Sequence, residues 1–284
     1  MSEIGRLLIS CPDRPGIVAA VSRFLYEQGA NIVHSDQHTS DPAGGTFFMR
    51  VEFQLANIEE KEAYIKELFS TLGHHFNMEW HLSLASRIKR IAMFVSKEEH
   101  ALLELLWRKR SGDIVADMVM IISNHADLGK LASAEGIPFH TIPVDKNEKE
   151  KAEDQQIALM AGKVDFIVLA RYMQIVTPHF IKHYPHKIIN IHHSFLPAFA
   201  GANPYLHASE RGVKIIGATA HYVTEALDAG PIIEQDIERV NHRHGIQELK
   251  RIGQYIERMV LARAVIWHLE DRILVHGNKT IVFH

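Results

Sequence analysis

The sequence predicts an α/β protein of two domains: a small βαββαβ domain at residues 1–85 and a doubly wound, mostly parallel α/β domain at residues 91–284. Residues 86–90 form the predicted linker. Three observations support this division. The chain of 284 residues has room for two domains of ordinary size. The order of strand and helix patterns changes at the polar stretch "ASRIKR". Near-continuous apolar strands alternate with helices after that point, which is typical of a parallel sheet covered on both faces.

The first domain begins with the strand "RLLIS" and the turn "CPDRPG". Asp13 is expected to cap the following helix, and Pro15 suits its first turn. Apolar residues then recur along one helical stripe until Gly29. The stretches "NIVHSDQHTS" and "TFFMRVEFQL" read as strands joined by a "DPAGG" hairpin loop. An amphipathic helix in "EEKEAYIKELFSTLG" and a last strand in "NMEWHLSL" complete a ferredoxin-like βαββαβ order.

In the second domain, the patterns predict parallel strands connected by right-handed helical crossovers. The predicted strands are "IAMFVS", "DMVMIIS", "PFHTIPV", "DFIVLA" and "KIINIH", and the helices lie near 98–109, 128–134 and 148–161. A later pair, "IIGATAHYV" and "IIEQDIE", is expected to be antiparallel. A long helix at 246–270 is expected to close the domain.

Composition excludes several classes of function. The formal net charge of −3 gives no reason to expect nucleic acid or an anionic membrane as a partner. No apolar run approaches the roughly 20 residues that span a bilayer, and the start of the chain does not resemble a signal peptide. A single cysteine, Cys11, rules out an internal disulfide framework, so a reducing cytoplasm is the expected location.

Histidine is unusually abundant, with 20 residues, which raises the question of a metal site. The local groups do not have the spacing of ligands, and no CxxC, HExxH or carboxylate-rich loop accompanies them. No protein-bound metal is therefore expected. The groups considered are His34 with His38, His179 with His183 and His186, and His242 with His244.

Polar groups stand where the "KIINIH" strand ends. Ligands of open α/β sheets gather at the carboxyl ends of the strands. Asn190 and His192 are two residues apart, so their side chains point to the same side of an extended chain. An amide and an imidazole can together hold a carbonyl oxygen and exchange a proton with it. Asp228, in a Gly-punctuated loop, offers a third group. The three suit chemistry at an activated acyl group, although each residue alone could be structural.

The segments "NIHHSFLPAF", "GVKIIGATAHYV" and "LDAGPII" resemble the folate-dependent formyltransferase fold. The resemblance implies that Asn190, His192 and Asp228 are the catalytic residues. It also implies that the loop "ARYMQIVTP" holds the pterin ring of a folate. The residues assigned to folate binding are Met173, Gln174, Ile175, Val176 and His193. Core packing is the alternative for Met173 and Val176, and a structural role is the alternative for His193.

The N-terminal segment "DRPGIVAAVSRFLYEQGANI" resembles the ACT domain, a regulatory module that commonly binds amino acids between copies. The resemblance implies a homo-oligomer and an amino-acid effector, glycine or methionine, bound near Asp13 and Gly16. The alternative for Gly16 is that it only shapes the turn.

The stretch after the first strand of the second domain bears on which molecule receives the formyl group. A glycine-rich phosphate cradle would be expected there in a ribonucleotide formyltransferase. The stretch "FVSKEEHALLELL" has no glycine, and Glu98 and Glu99 would oppose a phosphate. A charged tRNA as recipient would demand a basic surface, which the composition does not suggest. Water then remains as the recipient.

The whole chain is similar to the formyltetrahydrofolate deformylase family. The resemblance implies hydrolysis of 10-formyltetrahydrofolate to tetrahydrofolate and formate with no cofactor. Asn190 would stabilise the oxyanion, and His192 would assist it or protonate the leaving nitrogen. Asp228 would take the proton of water, with a pKa raised by partial burial. The alternatives are a formyltransferase with a small unphosphorylated acceptor, a folate-storage module and an amino-acid sensor.

Overall fold

The computed structural model describes residues 3–41, 43–197 and 204–284. The chain forms two compact units. The first contains the residues up to Ile88 together with Glu270–His276 and Ile281–His284. The second contains Lys89–Leu269 and Gly277–Thr280.

The first unit has the predicted βαββαβ order. Its elements are β1 (Ile4–Pro12), α1 (Ile17–Glu27), β2 (Asn31–Thr39), β3 (Thr46–Gln54), α2 (Ile58–Phe76) and β4 (Glu79–Leu84). The four strands pair antiparallel in the order β2-β3-β1-β4, as in a ferredoxin-like sandwich. Alternate residues of β1 and β3 and the apolar stripes of both helices form one core, whose centre includes Ile9, Val21, Val51 and Phe69.

The turn before α1 differs in detail from its prediction. The N-cap of α1 is Gly16, which has no side chain to accept a hydrogen bond, so Asp13 is not the capping residue. Asp13 instead donates its backbone N–H to the carbonyl oxygen of Gly45. Gly16 has a φ of 96°, a left-handed conformation that glycine adopts without strain. A turn requirement therefore accounts for this glycine by itself.

The second unit contains a mixed seven-stranded sheet with helices between its parallel strands, and the predicted fold class is confirmed. Its elements are β5 (Lys89–Val95), α3 (His100–Ser111), β6 (Ala116–Ser123), α4 (Gly129–Ala134), β7 (Phe139–Thr141), α5 (Lys149–Met160), β8 (Phe166–Leu169), α6 (Pro178–Ile181), β9 (Ile188–His192), α7 (Pro204–Arg211), β10 (Ile215–Tyr222), β11 (Ile232–Arg239) and α8 (Ile246–Leu269).

The strand order of this sheet determines where a ligand can bind. The order is β11-β10-β9-β8-β5-β6-β7. Strands β9, β8, β5, β6 and β7 are parallel, whereas β10 and β11 are antiparallel to their neighbours. From β5 the chain first adds β6 and β7 on one side and then β8 and β9 on the other. Such a switch point leaves a crevice at the carboxyl ends of the strands. The ends of β8 and β9 lie there.

The chain ends in a hairpin that the sequence patterns above did not include. Strand β12 (Ile273–His276) pairs with β13 (Lys279–Val282). Residues Glu270–His276 belong to the first unit, whereas the prediction placed residues 91–284 in the second domain. Buried Arg50 explains the difference, because it donates to the carbonyl oxygens of Glu270 and Asp271 at 2.8 Å each.

Among the described residues, no helix combines the length and the apolar character needed to cross a membrane.

Candidate active site

Asn190 and His192 lie at the carboxyl end of β9, as predicted from the sequence. Strand β9 pairs antiparallel with β10, and the register sets His221 opposite Asn190 and Thr219 opposite His192. Opposed residues of an antiparallel pair present their side chains on the same face. Asn190, His192 and His221 therefore converge on one side of the sheet, where they line a cavity of about 300 Å³.

Asp228 reaches the same cavity from the loop between β10 and β11. The loop folds back on the strand, since the backbone N–H of Tyr222 donates to the carbonyl oxygen of Pro231 at 2.9 Å. Gly230 makes this possible, because a Cβ atom there would collide with the carbonyl oxygen of Tyr222. Asp228 itself adopts a left-handed φ of 52°, which Asp tolerates better than most residues.

His192 and Asp228 form a buried pair. The Nδ1 atom of His192 lies 3.4 Å from the Oδ2 atom of Asp228. The Nε2 atom of His192 is buried and has no hydrogen-bond partner among the described residues. With Nδ1 facing a carboxylate, a neutral imidazole carries its hydrogen on Nδ1, and Nε2 presents a lone pair.

The protonation of Asp228 differs from the expectation. The hydrogen bond from His192 is the largest influence on its carboxyl group, and it holds the pKa of Asp228 below the ordinary value although burial opposes the shift. Burial was expected to raise this pKa, and that prediction is wrong. The charge-stabilising contact with His192 outweighs burial, so Asp228 is an ionised hydrogen-bond acceptor and a weaker base than expected.

The loop after β8 forms the apolar side of the cavity. Its backbone is fixed by two hydrogen bonds, from the N–H of Met173 to the hydroxyl of Ser96 at 3.1 Å and from the N–H of Gln174 to the carbonyl oxygen of Tyr172 at 2.6 Å. Met173 and Ile175 line the cavity yet remain more than half exposed, at 55% and 56%. Core packing therefore does not explain Met173. Val176 lines the cavity too, but it is buried in the core of the unit.

His193 lies behind His192, with its ring centroid 5.1 Å from that of His192 and 6.0 Å from that of Tyr205. Burial, followed by the positive charge of Arg171, lowers the pKa of His193 to about 4. His193 is therefore neutral near pH 7.

A buried ionic cluster around Glu257 lies beside the cavity and includes Arg171, one of the lining residues. Glu257 of α8 is 1% exposed, and its carboxylate lies 3.3 Å from Nε of Arg171. The same carboxylate accepts hydrogen bonds from His100 at 2.8 Å and from Tyr205 at 2.6 Å. Burial alone would raise the pKa of Glu257, but the contacts with His100 and Arg171 outweigh it and lower the pKa. Arg171 also lines the cavity and adopts a left-handed φ of 65°.

The structure brings eight predicted site residues to one cavity: Met173, Gln174, Ile175, Val176, Asn190, His192, His193 and Asp228. Asp13 and Gly16 lie in the other unit, at the turn before α1. The prediction missed His221, Arg171 and Glu257. Residues 198–203, which include the last two residues of the "NIHHSFLPAF" segment, lie outside the described part of the chain.

The cavity holds no group of three His, Cys, Asp or Glu side chains arranged for a metal, and neither does the rest of the described chain.

Comparison with known proteins defines the family. Residues 89–265 match the family model "Formyl transferase", and residues 5–68 match "ACT domain". A formyltetrahydrofolate deformylase of Bacillus subtilis (strain 168) is 58% identical over 281 residues, which cover 99% of this chain and 94% of that protein. The chain belongs to the formyltetrahydrofolate deformylase family.

Solved structures agree with this assignment. The crystal structure of a formyltetrahydrofolate deformylase from Pseudomonas syringae pv. tomato is 46% identical, with a TM-score of 0.93 and coverage of 100% of this chain and 95% of that one. Glycinamide ribonucleotide transformylase 1 from Symbiobacterium toebii is 27% identical, with a TM-score of 0.65, and covers 72% of this chain and 97% of its own. Deformylases thus match along the whole chain, whereas the transformylase matches over part of it.

Proposed function

We propose that the protein hydrolyses 10-formyltetrahydrofolate to tetrahydrofolate and formate. The observation that carries this proposal is the convergence of Asn190, His192 and Asp228 in one cavity of a formyltetrahydrofolate deformylase family member. The formate released would serve purine synthesis and balance the one-carbon folate pools.

The proposed reaction begins with water held at the Nε2 atom of His192. This atom has no hydrogen-bond partner among the described residues and is turned away from Asp228. It has almost no exposed surface in the free protein, so its lone pair would accept a proton from a water that enters beside it with the substrate, as the oxygen attacks the formyl carbon. The imidazolium that forms is stabilised by the ionised Asp228 at 3.4 Å. Because the pKa of Asp228 is lowered, its carboxylate is better suited to orient His192 than to take the proton from water itself.

Asn190 then stabilises the negative charge that develops on the formyl oxygen. Its amide N–H groups are the donors at the end of β9, and a donor aimed at the oxyanion is a large contribution to catalysis of acyl transfer. Collapse of the tetrahedral intermediate breaks the bond between the formyl carbon and the folate nitrogen. The proton on His192 passes to that nitrogen, and formate and tetrahydrofolate leave.

The apolar side of the cavity suits the pterin ring of the substrate. Met173, Ile175 and Leu227 expose apolar surface at its mouth. Backbone groups of the 171–176 loop other than the N–H groups of Met173 and Gln174 would bind the polar edge of a flat ring. Gln174 adds an amide to this loop. Exposed apolar side chains around a concave site are a common arrangement for ligand binding.

Water is the favoured recipient because the region after β5 lacks a phosphate cradle. The residues between β5 and α3 contain no glycine, and α3 begins directly after Glu99, its N-cap. The carboxylate of Glu98 lies 2.8 Å from Nζ of Lys250 and accepts from Gln254 at 3.0 Å. The hydrogen bond from Lys250 keeps the pKa of Glu98 low, so this stretch carries a carboxylate and lacks the glycine backbone donors that would suit an anionic acceptor.

The remaining properties are proposed by analogy with the family. The reaction described above requires no cofactor, and the protein would act in the cytoplasm. The ACT unit suits a small-molecule effector, for which glycine or methionine is proposed near Asp13 and Gly16, in a homo-oligomer. Calorimetric titration with each amino acid tests this part: heat of binding together with altered kinetics would support it, and neither effect for both amino acids would end it.

The hydrolysis is tested by incubating the purified protein with 10-formyltetrahydrofolate alone. Formate release without any added acceptor would support the proposal. Release that depends on an added small amine, with formyl transfer to that amine, would instead indicate a formyltransferase. Tight folate binding with no turnover would indicate a storage module.

A further inference from the structure

His221 is a buried imidazole in the wall of the cavity to which the proposed reaction assigns no step. It is 2% exposed and stands opposite Asn190 in the β9–β10 pair. Its Nε2 atom lies 3.1 Å from Nδ2 of Asn190 and 3.8 Å from Oδ1 of Asp228. It therefore contacts two of the three proposed catalytic side chains.

The hydrogen bonds of His221 determine which ring nitrogen carries the hydrogen. Its Nδ1 atom lies 3.0 Å from the carbonyl oxygen of Tyr222, and a carbonyl oxygen can only accept. Nδ1 therefore donates. In the neutral ring Nε2 is then an acceptor, and it receives an N–H from Nδ2 of Asn190. Burial favours the neutral ring and lowers the pKa of His221.

This arrangement leaves the carboxamide of Asn190 only one favourable orientation. If the carboxamide were turned by half a rotation, its Oδ1 atom would face the lone pair of Nε2, which is repulsive. The orientation matters because the same rotation would exchange donor and acceptor at the place where the formyl oxygen is stabilised. An acceptor there would oppose the developing negative charge.

We propose that His221 is a positioning residue that fixes the carboxamide of Asn190, so that one N–H is held by Nε2 of His221 and the other is directed to the formyl oxygen. The inference rests on the proposed function, because it assigns an oxyanion-stabilising role to Asn190. His221 acts through Asn190 and does not itself touch the reacting atoms.

The charged and titratable neighbours of His221 suggest an alternative, in which its ring is protonated. Asp228 favours protonation of His221, whereas His192 and burial oppose it. A protonated ring would donate from Nε2 toward Asp228 and would conflict with the N–H of Asn190. His221 would then act through Asp228, and a test must separate these two routes.

The test compares His221→Phe and His221→Gln in three backgrounds: the wild type, Asn190→Ala and Asp228→Asn. Phe keeps a ring but has no acceptor, so kcat should fall at least about tenfold, the scale of one lost hydrogen bond to a buried group, with KM for the folate much less affected. Gln should recover part of the loss, because its amide oxygen can stand near the position of Nε2 and accept from Asn190. In the Asn190→Ala background, His221→Phe should cause no further loss.

Three results would overturn the inference: an equal loss from His221→Phe with and without Asn190, a loss that disappears only in the Asp228→Asn background, or no rescue by Gln. If the Phe variant does not fold, nitrogen NMR of the wild-type protein decides the question. A hydrogen on Nδ1 and a bare Nε2 at pH 7 support the inference, and the opposite tautomer overturns it. Formate release by the wild type is measured separately, so failure of the proposed function is recognised independently.

Discussion

The Nδ1 atom of His192 lies 3.4 Å from the Oδ2 atom of Asp228, and both side chains are largely buried. Strand β9 ends at His192, and the loop after β10 folds back so that Asp228 faces the imidazole. The contact lowers the pKa of Asp228 and leaves Nε2 of His192 turned away from the carboxylate. In the proposed reaction, His192 therefore accepts the proton from water, and Asp228 orients His192.

Gly230 is expected to be required for this contact. In Gly230→Ala, the new Cβ would collide with the carbonyl oxygen of Tyr222 and displace the loop that carries Asp228. Relief of such a collision costs about 1–3 kcal/mol, and hydrolysis should fall sharply. Gly245→Ala is the control, because a Cβ there would meet no atom within 4 Å. Thermal melting and formate assays check both variants, and normal activity in Gly230→Ala would show that the loop does not need this close approach.

The buried carboxylate of Glu257 is expected to be important for stability. Replacement by Gln removes the charge that Arg171 and His100 face, and breaking a buried pair costs about 3–5 kcal/mol. Glu248→Gln on the same helix is the matched control. Its partner Arg251 is mostly exposed, so the free energy of unfolding should change by less than about 1 kcal/mol. Denaturant unfolding measures both; similar small changes would contradict a structural role for Glu257.

Ile175 is expected to contribute to binding of the folate. An Asp at this position places a charge on the apolar mouth of the cavity, so KM should rise about tenfold or more while kcat changes less. Val115→Asp serves as control, because Val115 is 63% exposed and does not line the cavity. Steady-state kinetics distinguish the two, and equal KM values would place the pterin elsewhere.

His193 is expected to make stability depend on pH. Its pKa is lowered to about 4 in the folded protein, whereas an unfolded histidine titrates near about 6.5. Below pH 6.5 the unfolded chain binds the proton and the folded protein does not, so stability is lost as the pH falls from about 6.5 toward 4. Between pH 7 and pH 5, the wild type should lose about 1–2 kcal/mol more than His193→Asn. Identical pH dependence in chemical unfolding would contradict this.

Much of the architecture can be predicted from local patterns in the sequence. The strand and helix order, the switch to parallel strands and the shared direction of Asn190 and His192 depend on side-chain periodicity and on where strands end. The C-terminal hairpin had a local signal too, since Gly277 and Asn278 stand between two short apolar strands.

Other features of the site depend on contacts between distant residues. The pairing of His221 with Asn190 requires the register of β9 and β10, which strand patterns alone do not specify. In the sequence, Arg171 and Glu257 look like ordinary surface charges, but in the folded protein they are buried next to each other. The pKa of Asp228 was expected to rise because its loop looked desolvated, but the position of His192 reverses the sign.

Asp228→Asn tests the role of the buried pair in catalysis. The neutral amide would neither stabilise an imidazolium nor hold the Nδ1–H tautomer of His192 reliably, so turnover should fall at least about a hundredfold. The folate dissociation constant, measured by equilibrium binding, should change far less. Near-normal turnover in this variant would remove Asp228 from the mechanism.

The most direct measurement is formate release from 10-formyltetrahydrofolate by the wild-type protein, recorded over time without any amine acceptor. Steady production of one formate for each tetrahydrofolate formed is the predicted result. A protein that converts the substrate only when an amine is supplied, and that passes the formyl group to it, would contradict the conclusion that water is the recipient.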